Sequence, residues 1–118
     1  MSIFLQAAEN NLEYVKLHMT HLEMVDDKNK SLLHFAVLGS AMDVINYLLD
    51  QDINVNMIDA HGETAFFDCA RKGKLDIAKL LITKFANVNI ANRHGELPIH
   101  LAAHKGDLNM IKLLIVTG

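Results

Sequence analysis

Residues 92–118 read NRHGELPIHLAAHKGDLNMIKLLIVTG, and residues 59–85 read DAHGETAFFDCARKGKLDIAKLLITKF. Shifting one segment onto the other by 33 positions aligns 11 identical residues in 27, whereas average amino-acid usage gives about two by chance. The identical pairs are His61/His94, Gly62/Gly95, Glu63/Glu96, Ala70/Ala103, Lys72/Lys105, Gly73/Gly106, Leu75/Leu108, Lys79/Lys112, Leu80/Leu113, Leu81/Leu114 and Ile82/Ile115. A fixed period of this length indicates a repeat protein, in which each copy is one supersecondary unit.

The same shift extends the repetition toward the N-terminus. Residues 26–58 align with 59–91, and residues 5–19 look like a degenerate copy with a shorter connection. Proline occurs once and no Ser/Pro/Gly-rich linker interrupts the chain, so we expect a single domain over residues 1–118. Its predicted parts are an irregular N-terminal unit (1–25), two full repeats (26–58 and 59–91) and a shortened final repeat (92–118).

Each repeat carries the pattern of two helices. Apolar residues at Leu75, Ala78, Leu81 and Ile82 form one helical stripe, and residues 108–115 repeat this spacing. A shorter helix rich in small residues precedes each stripe, over Ala65–Lys72 and Pro98–Lys105. The intervening glycines, Gly73 and Gly106, favour a left-handed backbone. If the repeats stack, Leu48, Leu81 and Leu114 must lie in one interior.

A 33-residue unit of a turn and two antiparallel helices resembles the ankyrin repeat, whose signature is roughly D-x-x-G-x-T-P-L-H-x-A-A-x-x-G. Residues 92–106 (NRHGELPIHLAAHKG) match it best, residues 59–73 (DAHGETAFFDCARKG) follow, and residues 31–37 (SLLHFAV) match more loosely. The resemblance covers nearly the whole chain. It implies an all-α solenoid of stacked helix-turn-helix units with short β-hairpin-like loops.

The chain departs from this signature at the start of the first helix of each repeat. The family pairs a Thr or Ser hydroxyl with a His three residues later. Ser31 and His34 keep both partners, whereas residues 64 and 67 lack the His, and residues 97 and 100 lack the hydroxyl. We expect each missing hydrogen bond to remove about 0.5–1.5 kcal/mol of stability.

The resemblance also implies a function, namely binding of another protein through the loop tips and the outward side of each first helix. The positions that carry over are Asp27, Lys28, Lys30, Ile58, Ala60, His61, Glu63, Arg71, Lys72, Ala91, Arg93, His94, Glu96, His104 and Lys105. Six of these are basic and three are acidic, although the chain carries a formal charge of -3. Two interpretations stay open: a partner with an acidic surface, or an ordinary solvated face.

Several residues resemble parts of a catalytic or metal site. Cys69 is expected to be a small buried apolar residue rather than a reactive thiol. His100 and His104 have zinc-ligand spacing but lack the adjacent glutamate of a zinc protease, so a structural role is favoured. His18 and His21, expected in the first hairpin, form at most a weak surface site with Glu23. Asp68 is predicted to be an exposed groove residue. We expect no catalytic residues, metal or cofactor.

Composition narrows the location and the partners. The acidic net charge disfavours nucleic acid as a partner. One cysteine cannot form an internal disulfide, which favours a reducing compartment. The N-terminus lacks the basic and apolar regions of a signal peptide, and no apolar run approaches the roughly 18 residues needed for membrane insertion. These features predict a cytoplasmic protein.

The last predicted helix, residues 110–116, is apolar nearly all round, whereas terminal repeats normally carry a polar outer face. We expect further repeats or another domain to follow, or self-association to cover this end. Two alternatives to a simple protein-binding module stay open. One is a targeting or scaffold arm of a larger protein or effector enzyme whose catalytic part lies beyond residue 118, and the other is a structural spacer.

Overall fold

The computed structural model describes residues 2–118, and this part of the chain forms four helix pairs stacked in a row. The pairs are α1 (Ile3–Ala8) with α2 (Leu12–His18), α3 (Leu32–Leu38) with α4 (Met42–Asp50), α5 (Phe66–Lys72) with α6 (Leu75–Thr83), and α7 (Pro98–Lys105) with α8 (Leu108–Thr117). The row is elongated, with dimensions of 39 × 25 × 21 Å. The predicted all-α stack of helix pairs is confirmed.

The core lies between an inner and an outer layer of helices. The first helices of the pairs contact each other in succession along the row (α1, α3, α5 and α7), and each packs against the second helix of its own pair. Leu48, Leu81 and Leu114 are buried in the same continuous apolar cluster, as the repeat alignment predicts. These three residues, which the 33-residue alignment places at the same position, are therefore buried in the same core.

Small residues allow the inner helices to approach closely. Ala36, Cys69 and Ala102 occupy equivalent positions and are fully buried. Gly39 lies directly against α1, because a Cβ atom added there would come within 1.9 Å of the carbonyl oxygen of Ala8. A larger residue at position 39 would push α1 away from α3.

Left-handed backbone recurs at three positions of the repeat. Gly73 and Gly106, between the two helices of a pair, have φ angles of 69° and 72°, as predicted. The remaining left-handed residues are Asn29, Gly62 and Gly95 in the loops, Asn10 and Ser40 between helices, and Asp52 and Phe85 after the second helix. All except Phe85 are glycine or small polar residues, which tolerate this conformation best.

The connections between repeats contain turns but, within residues 2–118, no strand. One isolated antiparallel bridge joins Val25 to Ser31. The expectation that His18 belongs to the first hairpin is wrong, because His18 is the last residue of α2 and its ring stacks on Tyr14, with 4.0 Å between ring centroids. An i, i+4 side-chain pair of this kind stabilises the last turn of a helix.

The final helix leaves several apolar side chains exposed. Leu108, Ile115 and Val116 of α8 are open to solvent, whereas Met110 and Leu114 are buried. The expectation that further repeats, another domain or a second copy covers this helix stays a prediction.

Candidate binding face at the loop tips

The first residue of each repeat builds the loop tip that follows it. The backbone N–H of Asp59 donates to the carbonyl of Glu63 (3.0 Å), and its Oδ1 accepts hydrogen bonds from the N–H groups of His61 (2.8 Å) and Glu63 (3.1 Å). Asp26 and Asn92 make the same bonds in their repeats. Asp and Asn favour such turns because their short side chains reach the backbone two residues on. Each tip is thus fixed by its own first residue.

Neighbouring tips are joined by backbone hydrogen bonds. The N–H of Ala60 donates to the carbonyl of Lys28, and the N–H of Arg93 donates to the carbonyl of His61, both at 2.9 Å. His61 and His94 lie exposed on successive tips, the equivalent places that the repeat alignment predicts. The three tips therefore form one ladder rather than three independent loops, and we call it the tip ladder.

An ion pair connects the first two tips beneath the ladder. The Nζ of Lys30 lies 2.8 Å from Oδ2 of Asp59, whose side chain is only 1% exposed. Burial alone would raise the pKa of Asp59, but hydrogen bonds from Lys30 and from the backbone of Glu63 and His61 lower that pKa below its usual range. The carboxylate is thus held in its charged form between two repeats.

A second group of charges surrounds Arg71 on α5. Its guanidinium donates two hydrogen bonds to Glu63 (2.8 and 2.9 Å) and a third to Asp68 (3.1 Å). Burial disfavours the charged guanidinium, but the bonds to Glu63 outweigh it and raise the pKa of Arg71. Asn92 donates to both Glu63 (2.9 Å) and Glu96 (3.0 Å), which extends the network to the last tip. Both bonds to Glu63 come from Nη2 of Arg71, and charge-assisted hydrogen bonds of this kind are stronger than neutral ones.

The prediction that Asp68 is an exposed groove residue is wrong. The residue is only 5% exposed, and burial raises the pKa of its carboxyl group, opposed by the nearby charges of Lys30 and Arg71. An acidic side chain is tolerated here because Arg71, one helical turn along α5, donates a hydrogen bond to it. Asp68 therefore supports Arg71 from beneath.

His34 links α3 to the next repeat. Its Nδ1 accepts from the N–H of Ser31 (3.1 Å) and lies 2.8 Å from the Ser31 hydroxyl, while Nε2 lies 2.9 Å from the carbonyl oxygen of Glu63. These partners require a neutral ring with its proton on Nε2. Burial lowers the pKa of His34, which favours the same neutral form.

The other two repeats depart from this arrangement as the sequence predicts. The buried hydroxyl of Thr64 has no hydrogen-bond partner within the described chain, because Phe67 stands where the His would be. In α7 the N–H of Leu97 donates to Nδ1 of His100 (2.9 Å), so the favoured structural role of His100 is confirmed.

The predicted binding residues divide by exposure. Four of them (Lys30, Glu63, Arg71 and Glu96) are half-buried in the polar network. The exposed ones are Asp27, Lys28, Ile58, Ala60, His61, Lys72, Ala91, Arg93, His94, His104 and Lys105. A cleft of about 420 Å³ brings together Lys28, Lys30, His61, Glu63, Arg71, Asn92, His94 and Glu96. The sequence interpretation missed Asn92, although its alignment with Asp26 and Asp59 could have revealed a shared role.

The structure also changes the charge balance of this face. Lys30 is paired with Asp59, and Arg71 is paired with Glu63 and Asp68, so two acidic residues omitted from the sequence count belong to the network. None of the ion pairs found in residues 2–118 includes Lys28, Lys72 or Arg93. The basic excess is smaller than the sequence indicates and is concentrated on these exposed side chains.

The described residues offer little support for catalytic or metal chemistry. In the described part of the chain, no three His, Cys, Asp or Glu side chains form a group able to hold a metal ion. Cys69 is buried as predicted, and burial raises the pKa of its thiol to about 12, so the reactive thiolate is disfavoured at neutral pH. Within residues 2–118 no helix has the length and apolar character needed to cross a membrane.

Comparison with known proteins places this geometry in context. A family model described as ankyrin repeats matches the chain in three copies, over residues 3–92 and 69–118. No curated protein matches the chain significantly.

Proposed function

This chain belongs to the ankyrin repeat family, and on that premise we propose that it is a non-catalytic module that binds another protein through its loop tips and the exposed side of its inner helices. Ankyrin repeats are generally protein–protein interaction modules. The proposed contact residues are the tip and inner-helix positions named above, to which we add Asn92 as a residue that holds the last tip in place.

The observation that carries this proposal is the tip ladder. Backbone bonds between tips, together with the Asp26, Asp59 and Asn92 turns, hold exposed side chains in fixed positions before any partner arrives. A preorganised surface loses less conformational entropy on binding than flexible loops do. Polar side chains packed beneath the ladder support it, since Lys30 and Arg71 are committed to ion pairs within the chain.

We also propose that the partner surface carries net negative charge. Lys28, Lys72 and Arg93 are exposed and take part in no ion pair found among the described residues, so their charges face solvent. Exposed charges of one sign steer an oppositely charged partner and increase the association rate more than they slow dissociation. The competing interpretation is that these side chains are simply solvated.

Charge reversal separates the two interpretations. A partner is isolated by affinity capture on the wild-type chain, and its binding is then measured with Lys28→Glu, Lys72→Glu and Arg93→Glu variants at low and high salt. Lys79→Glu and Lys112→Glu, exposed on the outer helices α6 and α8, are charge-matched controls. Reversal of Arg71 is uninformative, because it would break the network beneath the tips.

We expect each reversal at Lys28, Lys72 or Arg93 to reduce the association rate several-fold at about 50 mM salt and less at about 200 mM, because screening shortens the range of the charges. The controls should have little effect. Equal effects at these three positions and at the control positions would reject an acidic partner surface. Binding that survives combined reversal of Lys28, Lys72 and Arg93 would reject the proposed face of loop tips and inner helices.

A cytoplasmic scaffold role fits this proposal. The single thiol of Cys69 is buried and needs no oxidising compartment, and the net charge of -3 disfavours binding to nucleic-acid phosphates. Fractionation of cells that express the tagged chain would test the location, and recovery in a secreted fraction would contradict it.

A further inference from the structure

Phe85 occupies an unfavourable position in two respects. Its side chain is 87% exposed, and its backbone is left-handed, with a φ of 69°. The other non-glycine residues with positive φ are Asn10, Asn29, Ser40 and Asp52, all small and polar. A bulky side chain is a genuine outlier in this conformation. Because Asp52 is the equivalent residue one repeat earlier, the fold does not require an aromatic ring here.

A cleft lies beside this ring. Its floor consists of Leu49, Ile53 and Val55, which are almost fully buried, and Phe85 forms one wall. The cleft volume is about 210 Å³, and a cavity of about 150 Å³ is large enough to admit benzene. One aromatic side chain therefore fits into the cleft, and the exposed ring of Phe85 is the same kind of group.

Opposite charges stand at the edge of the same cleft. Asp52 and Lys84 both line it, both are exposed, and neither belongs to an ion pair found in residues 2–118. An aromatic ring, a cleft of matching size, an anion and a cation thus lie together on one small surface. A two-fold pair uses the same surface of both copies, so each copy must carry both halves of every contact, as this surface does.

We propose that this surface pairs with a second copy of the chain. In the pair, each Phe85 ring enters the cleft over Leu49, Ile53 and Val55 of the other copy, and Lys84 of each copy meets Asp52 of the other. The contact area is small, so the pair is weak and depends on protein concentration. The surface shares no residue with the loop-tip face, so a pair presents two open binding faces and increases the apparent affinity for a multivalent partner.

Sedimentation velocity at protein concentrations up to about 1 mM, where a weak pair forms, tests the role of the ring. The wild-type chain should sediment as a monomer–dimer equilibrium, and Phe85→Asn should be monomeric. Asparagine tolerates the left-handed backbone, so the variant should fold and melt at the same or a higher temperature. Val116→Asn is the control: it removes a similarly exposed apolar side chain outside this surface, on α8, and should leave the monomer–dimer equilibrium unchanged.

A charge exchange tests the geometry of the pair. Asp52→Lys and Lys84→Glu should each weaken pairing at least tenfold, because like charges then face each other. The double variant Asp52→Lys/Lys84→Glu should pair with itself, and an equimolar mixture of the single variants should form mixed pairs. Circular dichroism melting of each variant checks that it is folded.

Three outcomes would overturn the proposal. The first is a wild-type chain that stays monomeric at about 1 mM. The second is self-association that is lost in Val116→Asn but kept in Phe85→Asn, which would assign the contact to α8. The third is folded single charge variants whose mixture fails to pair.

Discussion

The beginnings of α3 and α5 are the same place in two successive repeats, yet they are stabilised differently. At α3, Ser31 and His34 complete a ring of hydrogen bonds, and His34 also reaches the carbonyl of Glu63 in the next repeat. At α5, Phe67 replaces the His, fills the space with a fully buried ring and leaves the Thr64 hydroxyl without a partner. The start of the first helix is thus held by polar bonding in one repeat and by apolar packing in the next.

The difference also changes how the repeats are joined. His34 gives repeat 26–58 a buried polar link to repeat 59–91, whereas Phe67 offers no group that could reach the following repeat. There the side-chain link lies in the polar network beneath the tips instead, where Asn92 donates to Glu63. Loss of a polar group should therefore reduce stability most at the junction between repeats 26–58 and 59–91, which we call the first junction.

The largest effect is expected for His34→Ala, which should reduce the free energy of unfolding by about 3 kcal/mol. The substitution opens a cavity, leaves the N–H of Ser31 without its partner, and leaves the carbonyl of Glu63 with only the bond from the N–H of Asp59. Urea denaturation measures the loss. His100→Ala is the matched control, because that exposed ring makes one hydrogen bond and should cost no more than about 1 kcal/mol. Equal losses would contradict the special role of the first junction.

Removal of the Asp59 carboxylate comes next, with an expected loss of about 2 kcal/mol for Asp59→Ala. The variant loses two bonds within the tip and leaves the partly buried ammonium of Lys30 without its partner. Asp26→Ala loses the equivalent tip bonds but no ion pair, and should cost about 1 kcal/mol. Thermal melting of both variants would show whether the inter-repeat ion pair contributes to stability.

Lowering the pH should reduce the free energy of unfolding by less than His34→Ala or Asp59→Ala does. His34 has a lowered pKa in the folded chain, so the unfolded chain binds the proton more readily. The neutral ring contributes its full stabilisation above pH 6.5, the ordinary pKa of histidine. The free energy of unfolding then decreases as the pH falls from 6.5 toward the lower pKa of His34 in the folded chain. Unfolding curves between these values should show this slope. His34→Gln should lack it, since the other histidines are exposed.

At the start of α5, removal of a polar group should increase the free energy of unfolding instead of reducing it. Thr64→Val replaces a buried hydroxyl that has no partner by a methyl group of similar size and should increase stability by about 1 kcal/mol. Ser31→Ala, at the equivalent position of the bonded repeat, should decrease it by about 1 kcal/mol. A destabilising Thr64→Val would show that the hydroxyl is bonded after all.

The smallest effect is expected at α7, where His100 is present but the hydroxyl is not. Leu97→Thr supplies an N-terminal cap for α7 and gives up part of a half-buried apolar side chain, so we expect a net gain of about 0.5 kcal/mol. A shift of a degree or two in the melting temperature would register it. Leu97→Ala, which loses the apolar contact without gaining the cap, should destabilise the chain.

Features set by the 33-residue period were predictable from the sequence. The helix pairs, the left-handed Gly73 and Gly106, and the common interior of Leu48 and Leu81 each depend on spacing along one chain segment. The departures of Phe67 and Leu97 from the signature likewise identify, from the sequence alone, the two helix starts that lack one hydrogen-bonding partner.

The polar network beneath the tips was not predictable in the same way. Lys30 meets Asp59, and His34 meets Glu63, 29 residues away in each case, through contacts that only the stacking distance brings about. The burial of Asp68 depends on the position of the Arg71 guanidinium above it, which helical spacing alone does not fix. Charge counted along the sequence therefore overstated the free positive charge of the face.

The backbone bonds between successive tips have a consequence for ligand length. Because backbone bonds tie each tip to the next, residues at equivalent places, such as Lys28, His61 and His94, recur once in each repeat along the row. The length of an extended segment of another protein bound along this row would then correspond to a whole number of repeats. Gain or loss of a repeat would then lengthen or shorten the segment recognised and leave the existing contacts in place.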